Sequence, residues 1–197
     1  YGSGVQILNR DTRSFRRYIS EIGNPLSLSG NAVTSVLEDR SGVLWIGTSG
    51  GGISKVDPSA SRFVVYRHDP NDPLSLSEKA VISVYEDRQQ VLWVGTASRG
   101  LNAFDRRTGS VRRYRNNAQH PNSIGSDTVT AVLEDHLGFI WIGTPSGLNR
   151  LDRTTGQFEL FVNDFQDPTS LMNNEIFTIF EDLNQDLWIG TASGLNR

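Results

Sequence analysis

The sequence predicts an all-β protein made of β-propeller blades, and a repeat of about 48 residues is the main reason. The only four tryptophans lie 48, 48 and 47 residues apart. Each stands in nearly the same phrase of an aliphatic residue, Trp, Ile or Val, Gly and Thr, and a Glu-Asp pair precedes it with the Asp six residues upstream. These tryptophans are Trp45, Trp93, Trp141 and Trp188. A fixed period of this length indicates an array of identical supersecondary units.

Each unit divides into four short strand-like segments separated by turn residues. In the first complete unit they cover residues 33–38, 44–48, 52–57 and 62–66, and they are rich in Val, Ile and aromatic residues. No segment shows convincing 3.6-residue periodicity, so no helix is expected. Four antiparallel strands in about 48 residues are typical of one propeller blade. Trp belongs to the second strand, where we expect it to be buried between blades.

The turn between the first two strands contains an Asp that can accept backbone N–H groups and, in two copies, a Gly that permits positive φ. Asp39 and Gly42 show this pattern in the first complete unit. Gln90 and Gln185 stand at the glycine position in two other units, which predicts less regular hairpins there.

The blade boundaries follow from the phase of the repeat. Residues 24–71, 72–119 and 120–166 are each predicted to form one blade; residues 1–23 supply the third and fourth strands of a preceding blade, and residues 167–197 form the first part of a further one. The two end portions could complete one blade and close a four-bladed ring. However, residues 194–197 begin another third strand, which would compete with residues 4–7 for the same place. We therefore favour a partial propeller, an open arc whose end blades are covered by another copy of the chain or by further repeats.

Composition excludes several functional classes. A net charge of −3 without a long basic run argues against a nucleic-acid partner. The absence of cysteine excludes disulfides and thiolate metal sites. No apolar stretch approaches the roughly 18 residues of a membrane helix, so no membrane contact by this segment is expected.

Repeated acidic residues could suggest a metal site, but the repeat favours a structural role. Because every unit carries a glutamate in the same place, each is expected to accept backbone N–H groups within or between blades. They are Glu38, Glu86, Glu134 and Glu181. The segment 182–186 resembles the start of a calcium loop but lacks the glycine at position six and the distal glutamate. We predict no metal site, no cofactor and no catalytic residue, because no nucleophile, acid or base departs convincingly from the repeat.

Residues that differ between copies are better candidates for ligand binding, since shared blade contacts do not explain them. In a propeller, the entries to the first strands share a face with the turns after the Gly-Thr phrase. The candidates on this face are Asn31, His68, Lys79, Arg99, His120, Asp127 and Asn174.

The complete motif resembles the two-component regulator propeller repeat. Residues 33–57 match its Val-x-x-Val-x-Glu-Asp-x-x-Gly-x-Leu-Trp-Ile-Gly-Thr pattern and the following Gly-Gly-Ile and Asp almost fully, and residues 68–77 resemble its inter-blade connection. The resemblance implies an extracytoplasmic, periplasmic sensor segment of an inner-membrane protein, ahead of a histidine kinase or diguanylate cyclase. Its implied ligand is a small molecule, often an oligosaccharide, and the segment itself would not be an enzyme. The alternative is a protein-interaction or dimerisation scaffold that associates through exposed end blades.

Overall fold

The computed structural model describes residues 2–57 and 62–197, and the described residues form strands and turns without a helix. The strands of the first two sheets are β1 (Val5–Asn9), β2 (Ser14–Tyr18), β3 (Val33–Glu38), β4 (Leu44–Thr48), β5 (Gly52–Asp57) and β6 (Arg62–Tyr66). The next two sheets contain β7 (Val81–Glu86), β8 (Val91–Thr96), β9 (Leu101–Asp105), β10 (Ser110–Tyr114), β11 (Ala131–Glu134), β12 (Ile140–Thr144), β13 (Gly147–Leu151) and β14 (Phe158–Phe161). The last sheet contains β15 (Ile176–Glu181), β16 (Leu187–Thr191) and β17 (Gly194–Asn196).

The strands form antiparallel meanders, as predicted for propeller blades. We call β3–β6 the first blade, β7–β10 the second, β11–β14 the third and β15–β17 the terminal blade; β1 and β2 form a two-stranded half-blade. Each Trp lies on a second strand, and cross-strand pairs such as Trp45 with Lys55 fix the register with the third strand. The all-β propeller prediction is therefore confirmed.

In the three complete blades, the two faces of the second strand contact different neighbours. In β4, Leu44 and Ile46 pack towards the half-blade, in a cluster that includes Val5 and Tyr18. Trp45, between them, packs towards the second blade. Because both faces are covered, the strand is apolar throughout instead of alternating.

The Trp side chains join consecutive blades. Trp93 packs with Ile124, Val129, Ile140 and Ile142 of the third blade and its linker, and only 3% of its surface is exposed. Trp45 makes the corresponding contact with the second blade, and Trp141 with the terminal blade. Trp45 and Trp93 are buried, whereas Trp141 and Trp188 are only partly buried.

The hairpins at Gln90 and Gln185 are as regular as those with glycine, so the prediction of less regular hairpins there was wrong. Both glutamines adopt positive φ, 63° and 71°. The Gln90 N–H donates to Asp87 O at 3.1 Å, as Gly42 N–H does to Asp39 O at 2.9 Å. The aspartate carboxylate fixes the turn strongly enough that a residue other than glycine accepts the left-handed conformation, at a cost of about 1 kcal/mol.

The two ends of the chain do not share a strand position. β1 pairs with β2, and this half-blade packs on the first blade through Val5 and Tyr18. β17, not β1, takes the place beside β16. On the terminal blade, Phe177 and Phe180 are 55% and 60% exposed.

Candidate functional site

Each Trp is held by the Asp six residues before it. The aspartate Oδ2 accepts the indole Nε1–H in all four repeats, at 2.9, 2.7, 2.7 and 2.8 Å in chain order. The other oxygen holds the turn: Asp87 Oδ1 accepts the backbone N–H groups of Gln89 and Val91 at 2.8 and 2.9 Å. The turn contacts were predicted from the sequence and the bond to Trp was not, although the constant six-residue spacing between Asp and Trp is its signal.

Three of the repeated glutamates, Glu86, Glu134 and Glu181, join neighbouring blades, whereas Glu38 is exposed. Glu86 Oε2 in the second blade accepts the Arg40 N–H of the first blade at 3.0 Å. Glu134 Oε2 accepts the Arg88 N–H at 2.7 Å, and Glu181 Oε1 accepts the His136 N–H at 3.0 Å. These carboxylates therefore satisfy backbone donors of the preceding blade.

An arginine completes two of the joints. Arg153 of the third blade contacts Asp87 Oδ2 at 2.9 Å and Glu134 Oε1 at 3.0 Å, and its guanidinium lies 5.7 Å from the centroid of Trp93. We call this Asp-Trp-Glu-Arg group the interblade latch.

The same arrangement joins the first and second blades. Arg106 contacts Asp39 Oδ2 at 2.5 Å and Glu86 Oε1 at 3.2 Å, and it lies over Trp45. Each latch arginine comes directly after an aspartate at the end of a third strand. Arg106 follows Asp105, the last residue of β9, and Arg153 follows Asp152, the residue after β13. This shared position is the feature of the sequence that could have indicated the latch.

Hydrogen bonds lower the pKa of Asp39, in the latch between the first and second blades, and of Asp182, in the terminal blade. Burial would raise the pKa of Asp39, but hydrogen bonds from Ser41, Trp45 and Arg106 outweigh it and hold the pKa well below its usual range. At the terminal blade, bonds from Trp188 and from the Asp186 backbone lower the pKa of Asp182. Both carboxylates therefore favour the ionised form in the folded state.

We expect the chain to lose stability in acid because of these shifts. A carboxyl with a lower pKa in the folded than in the unfolded state contributes stability above the unfolded value of about 3.9, and loses it as the pH falls towards the folded value. Denaturant unfolding followed by Trp fluorescence should show a falling midpoint from pH 6 to pH 3. Asp39→Asn should lower stability at pH 6 and reduce the pH dependence; an unchanged pH dependence in this variant would contradict the assignment.

Three of the predicted strand-entry residues use their side chains within the linkers. Asn31 Oδ1 accepts the Ser20 N–H at 2.7 Å, and Asn174 Oδ1 accepts the Asn163 N–H at 2.6 Å. Asp127 Oδ1 accepts the Asn116 N–H at 2.8 Å, and its other oxygen pairs with Arg115 at 3.0 Å.

The two predicted histidines also lie in linkers. His68 Nδ1 is 2.7 Å from Leu76 O, as Asn116 Nδ2 is 2.8 Å from Ile124 O one repeat later. Because the acceptor is a carbonyl, His68 Nδ1 carries the proton in this contact. His120 closes a turn through its backbone, with its N–H bonded to Asn117 O at 2.9 Å.

Lys79 and Arg99 differ from the other candidates. Their backbones are engaged, since Lys79 O accepts the Gly52 N–H at 2.8 Å and Arg99 O accepts the Ser77 hydroxyl at 3.2 Å. Both side chains are exposed and form no hydrogen bond or ion pair with another described residue. The Ser98 N–H bonds to Glu78 Oε2 at 2.8 Å, which brings the two loops together. We call residues 77–79 and 97–99 the second-blade loop face.

Residues 2–57 and 62–197 provide no cluster of metal ligands. Nowhere in these ranges do three or more His, Asp or Glu side chains form a group that could hold a metal ion. The same ranges contain no helix long and apolar enough to cross a membrane.

Three stretches of the chain match the family model described as two component regulator propeller. They cover residues 27–50, 75–98 and 123–146, which include the first-strand and Trp phrases of the three complete blades. The recognition made from the repeated motif is thereby confirmed. A comparison with curated protein sequences gave no significant match.

Solved structures share this fold at low sequence identity. The extracellular domain of BT4673 of B. thetaiotaomicron, described as a hybrid two component system, matches with a TM-score of 0.81 and 22% identity over 98% of this chain and 24% of that one. The extracellular domain of BT3049 of the same organism gives 0.71 and 22%, over 98% and 30%. PorZ of Porphyromonas gingivalis, a surface component of the type-IX secretion system, gives 0.71 and 19%, over 98% and 29%. This chain spans about a quarter to a third of their length, so it is a partial propeller beside them.

Proposed function

We propose that this chain, which carries repeats of the two-component regulator propeller family, is a ligand-sensing segment of a bacterial membrane signalling protein. The family match in three successive blades is the observation that carries the proposal. In this proposal the segment lies in the periplasm and binds without catalysing. A histidine kinase or diguanylate cyclase in other domains of the longer protein would provide the output.

The ligand is a small molecule or an oligosaccharide bound at the second-blade loop face. Lys79 and Arg99 lie on two loops that contact each other, and each provides an exposed cationic donor. Neither side chain has a hydrogen-bond or ion-pair partner among the described residues. Glu78, already fixed by Ser98, adds a hydrogen-bond acceptor. Exposed loops on a rigid sheet scaffold are common locations of binding residues.

A thermal-shift screen of oligosaccharides and small metabolites, on the extracytoplasmic region that contains this chain, tests the proposal. A stabilising compound should bind about tenfold more weakly to Lys79→Ala or Arg99→Ala, the effect of losing one charged hydrogen bond. Arg10→Ala, an exposed change in the half-blade, is the matched control and should bind normally. If a stabilising compound binds both loop variants as tightly as the unchanged chain, its site lies elsewhere. If no compound stabilises the chain, the result counts against a sensing function.

A protein-interaction or dimerisation scaffold is the second candidate. The exposed Phe177 and Phe180 on the terminal blade favour it, because large apolar side chains at a sheet face often mark an interface. In this reading the chain is a homo-oligomer that associates through its end blades. Light scattering should then show association that Phe180→Asp reduces, whereas a concentration-independent monomer would contradict it.

A further inference from the structure

A second candidate binding site lies away from the loop face, in a crevice between the first and second blades. Its volume is about 560 Å³, within the range of small-molecule pockets. Tyr66 and Lys55 line it from the first blade, and Leu74 lines it from the linker. The third-to-fourth-strand turn of the second blade, including Arg107 and Gly109, forms the opposite wall.

The crevice is open because the first blade lacks a long side chain at one position of its fourth strand. At the joint between the second and third blades, such a side chain covers the corresponding place. In the second blade, Arg112 reaches the turn of the third blade, and its Nη2 lies 2.9 Å from where a Cβ on Gly156 would stand. In the first blade the residue at the equivalent strand position is Val64, which is 55% exposed. A Cβ on Gly109, the counterpart of Gly156, would meet no atom of a described residue within 4 Å. Of these two joints, the one between the second and third blades is therefore covered and the one between the first and second blades is open.

The apolar part of the crevice suits a flat ring. Tyr66 is 41% and Leu74 54% exposed, and Val111 continues the apolar wall. Trp45 forms the floor, where it is capped by Lys55, whose Nζ lies 5.4 Å from the ring centroid. A planar ligand that covers Tyr66 and Leu74 would remove apolar surface that the blades leave in water.

The charged part of the crevice favours an anion. Arg106 is engaged by Asp39 and Glu86, so it is not available to a ligand. Lys55 forms no ion pair within the described ranges, and Arg107, with 78% of its side chain exposed, is 3.8 Å from Asp105. Asp105 accepts the backbone N–H groups of Arg107 and Thr108 at 2.9 and 3.1 Å, so its charge is committed to the turn. At the opening of the crevice, the two positive charges of Lys55 and Arg107 exceed the single negative charge of Asp105, so the net charge is one positive.

We propose that this crevice binds a small aromatic carboxylate, with its ring on Tyr66 and Leu74 and its carboxylate between Lys55 and Arg107. The proposal concerns binding by this chain and does not depend on the sensing function or on the loop face.

Isothermal titration calorimetry of the 197-residue chain with 2-naphthoate tests the proposal. We expect one saturable site with a Kd of about 1 mM or tighter, reasonable for a ligand of this size. The neutral analogue 2-naphthamide and the ring-free anion acetate should each bind about tenfold more weakly or not at all. Equal affinity for the acid and the amide, or no saturable binding of 2-naphthoate, would overturn the proposal.

Two variants locate the site. Lys55→Met should weaken 2-naphthoate binding about tenfold and leave weak amide binding unchanged. Val64→Arg copies the side chain that covers the next joint, and it should reduce 2-naphthoate binding at least as much. Because Val64→Arg adds a positive charge, simple charge attraction predicts tighter binding, so an unchanged or increased affinity would refute the crevice. Arg112→Val, at the next joint, is the matched control and should keep the original affinity; thermal unfolding verifies that each variant is folded.

Discussion

Replacing Trp93 with alanine should lower the free energy of unfolding by about 3–5 kcal/mol, the usual effect of emptying a buried Trp site. Trp93 is 3% exposed and packs against Ile140 and Ile142 of the third blade and Val129 of its linker. Its Nε1–H also satisfies Asp87 Oδ2 at 2.7 Å. The change therefore leaves a cavity at a blade joint and removes a donor from a buried carboxylate. Urea unfolding of the chain, followed by circular dichroism, measures the effect.

Trp188→Ala is the matched control, because Trp188 has the same Asp partner but lies on the terminal blade. It is only partly buried and does not belong to an apolar cluster between two described blades. Its replacement should cost less than half as much as that of Trp93. Equal losses would show that the Trp acts within its own blade and not at the joint.

Asp87→Ala should have a comparable effect, about 3–5 kcal/mol, although it removes only a small side chain. Asp87 is fully buried and accepts hydrogen bonds from Trp93 Nε1 and from two backbone N–H groups of its turn. It is also one of two carboxylates that balance Arg153. Without it these donors lose their acceptor in a region that water reaches poorly, and each unsatisfied group costs about 1–3 kcal/mol.

The corresponding change at the terminal blade separates the latch from the turn. Asp182 bonds to Trp188 and to its own turn, but it has no latch arginine from a following blade among the described residues. Asp182→Ala should therefore destabilise the chain less than Asp87→Ala does. Adding Arg153→Met to the Asp87→Ala variant should recover part of the extra stability lost, because it removes the arginine that has lost its acceptor. If Asp182→Ala is as costly as Asp87→Ala, the arginine contributes nothing measurable.

The candidate loop site was only partly predictable from differences between repeats. Those differences identified Lys79 and Arg99, whose side chains face solvent. They equally identified His68, whose ring replaces an asparagine amide in a linker contact to Leu76 O. Two unlike side chains can supply the same N–H at the same place, so a departure from the repeat does not by itself indicate a ligand.

The sequence by itself determined the blade, because every strand, turn and Trp-Asp pair depends on residues close together within one repeat. Four copies of that local pattern leave little freedom in the meander, and even Gln90 takes the glycine conformation when the aspartate fixes its turn. Only the tertiary structure decided what happens between blades. Arg153 meets Asp87 from a different blade, and the crevice beside Tyr66 depends on Val64 being too short to reach Gly109. Such contacts depend on the distance and angle between neighbouring sheets, which the packed Trp layer sets and no single repeat encodes.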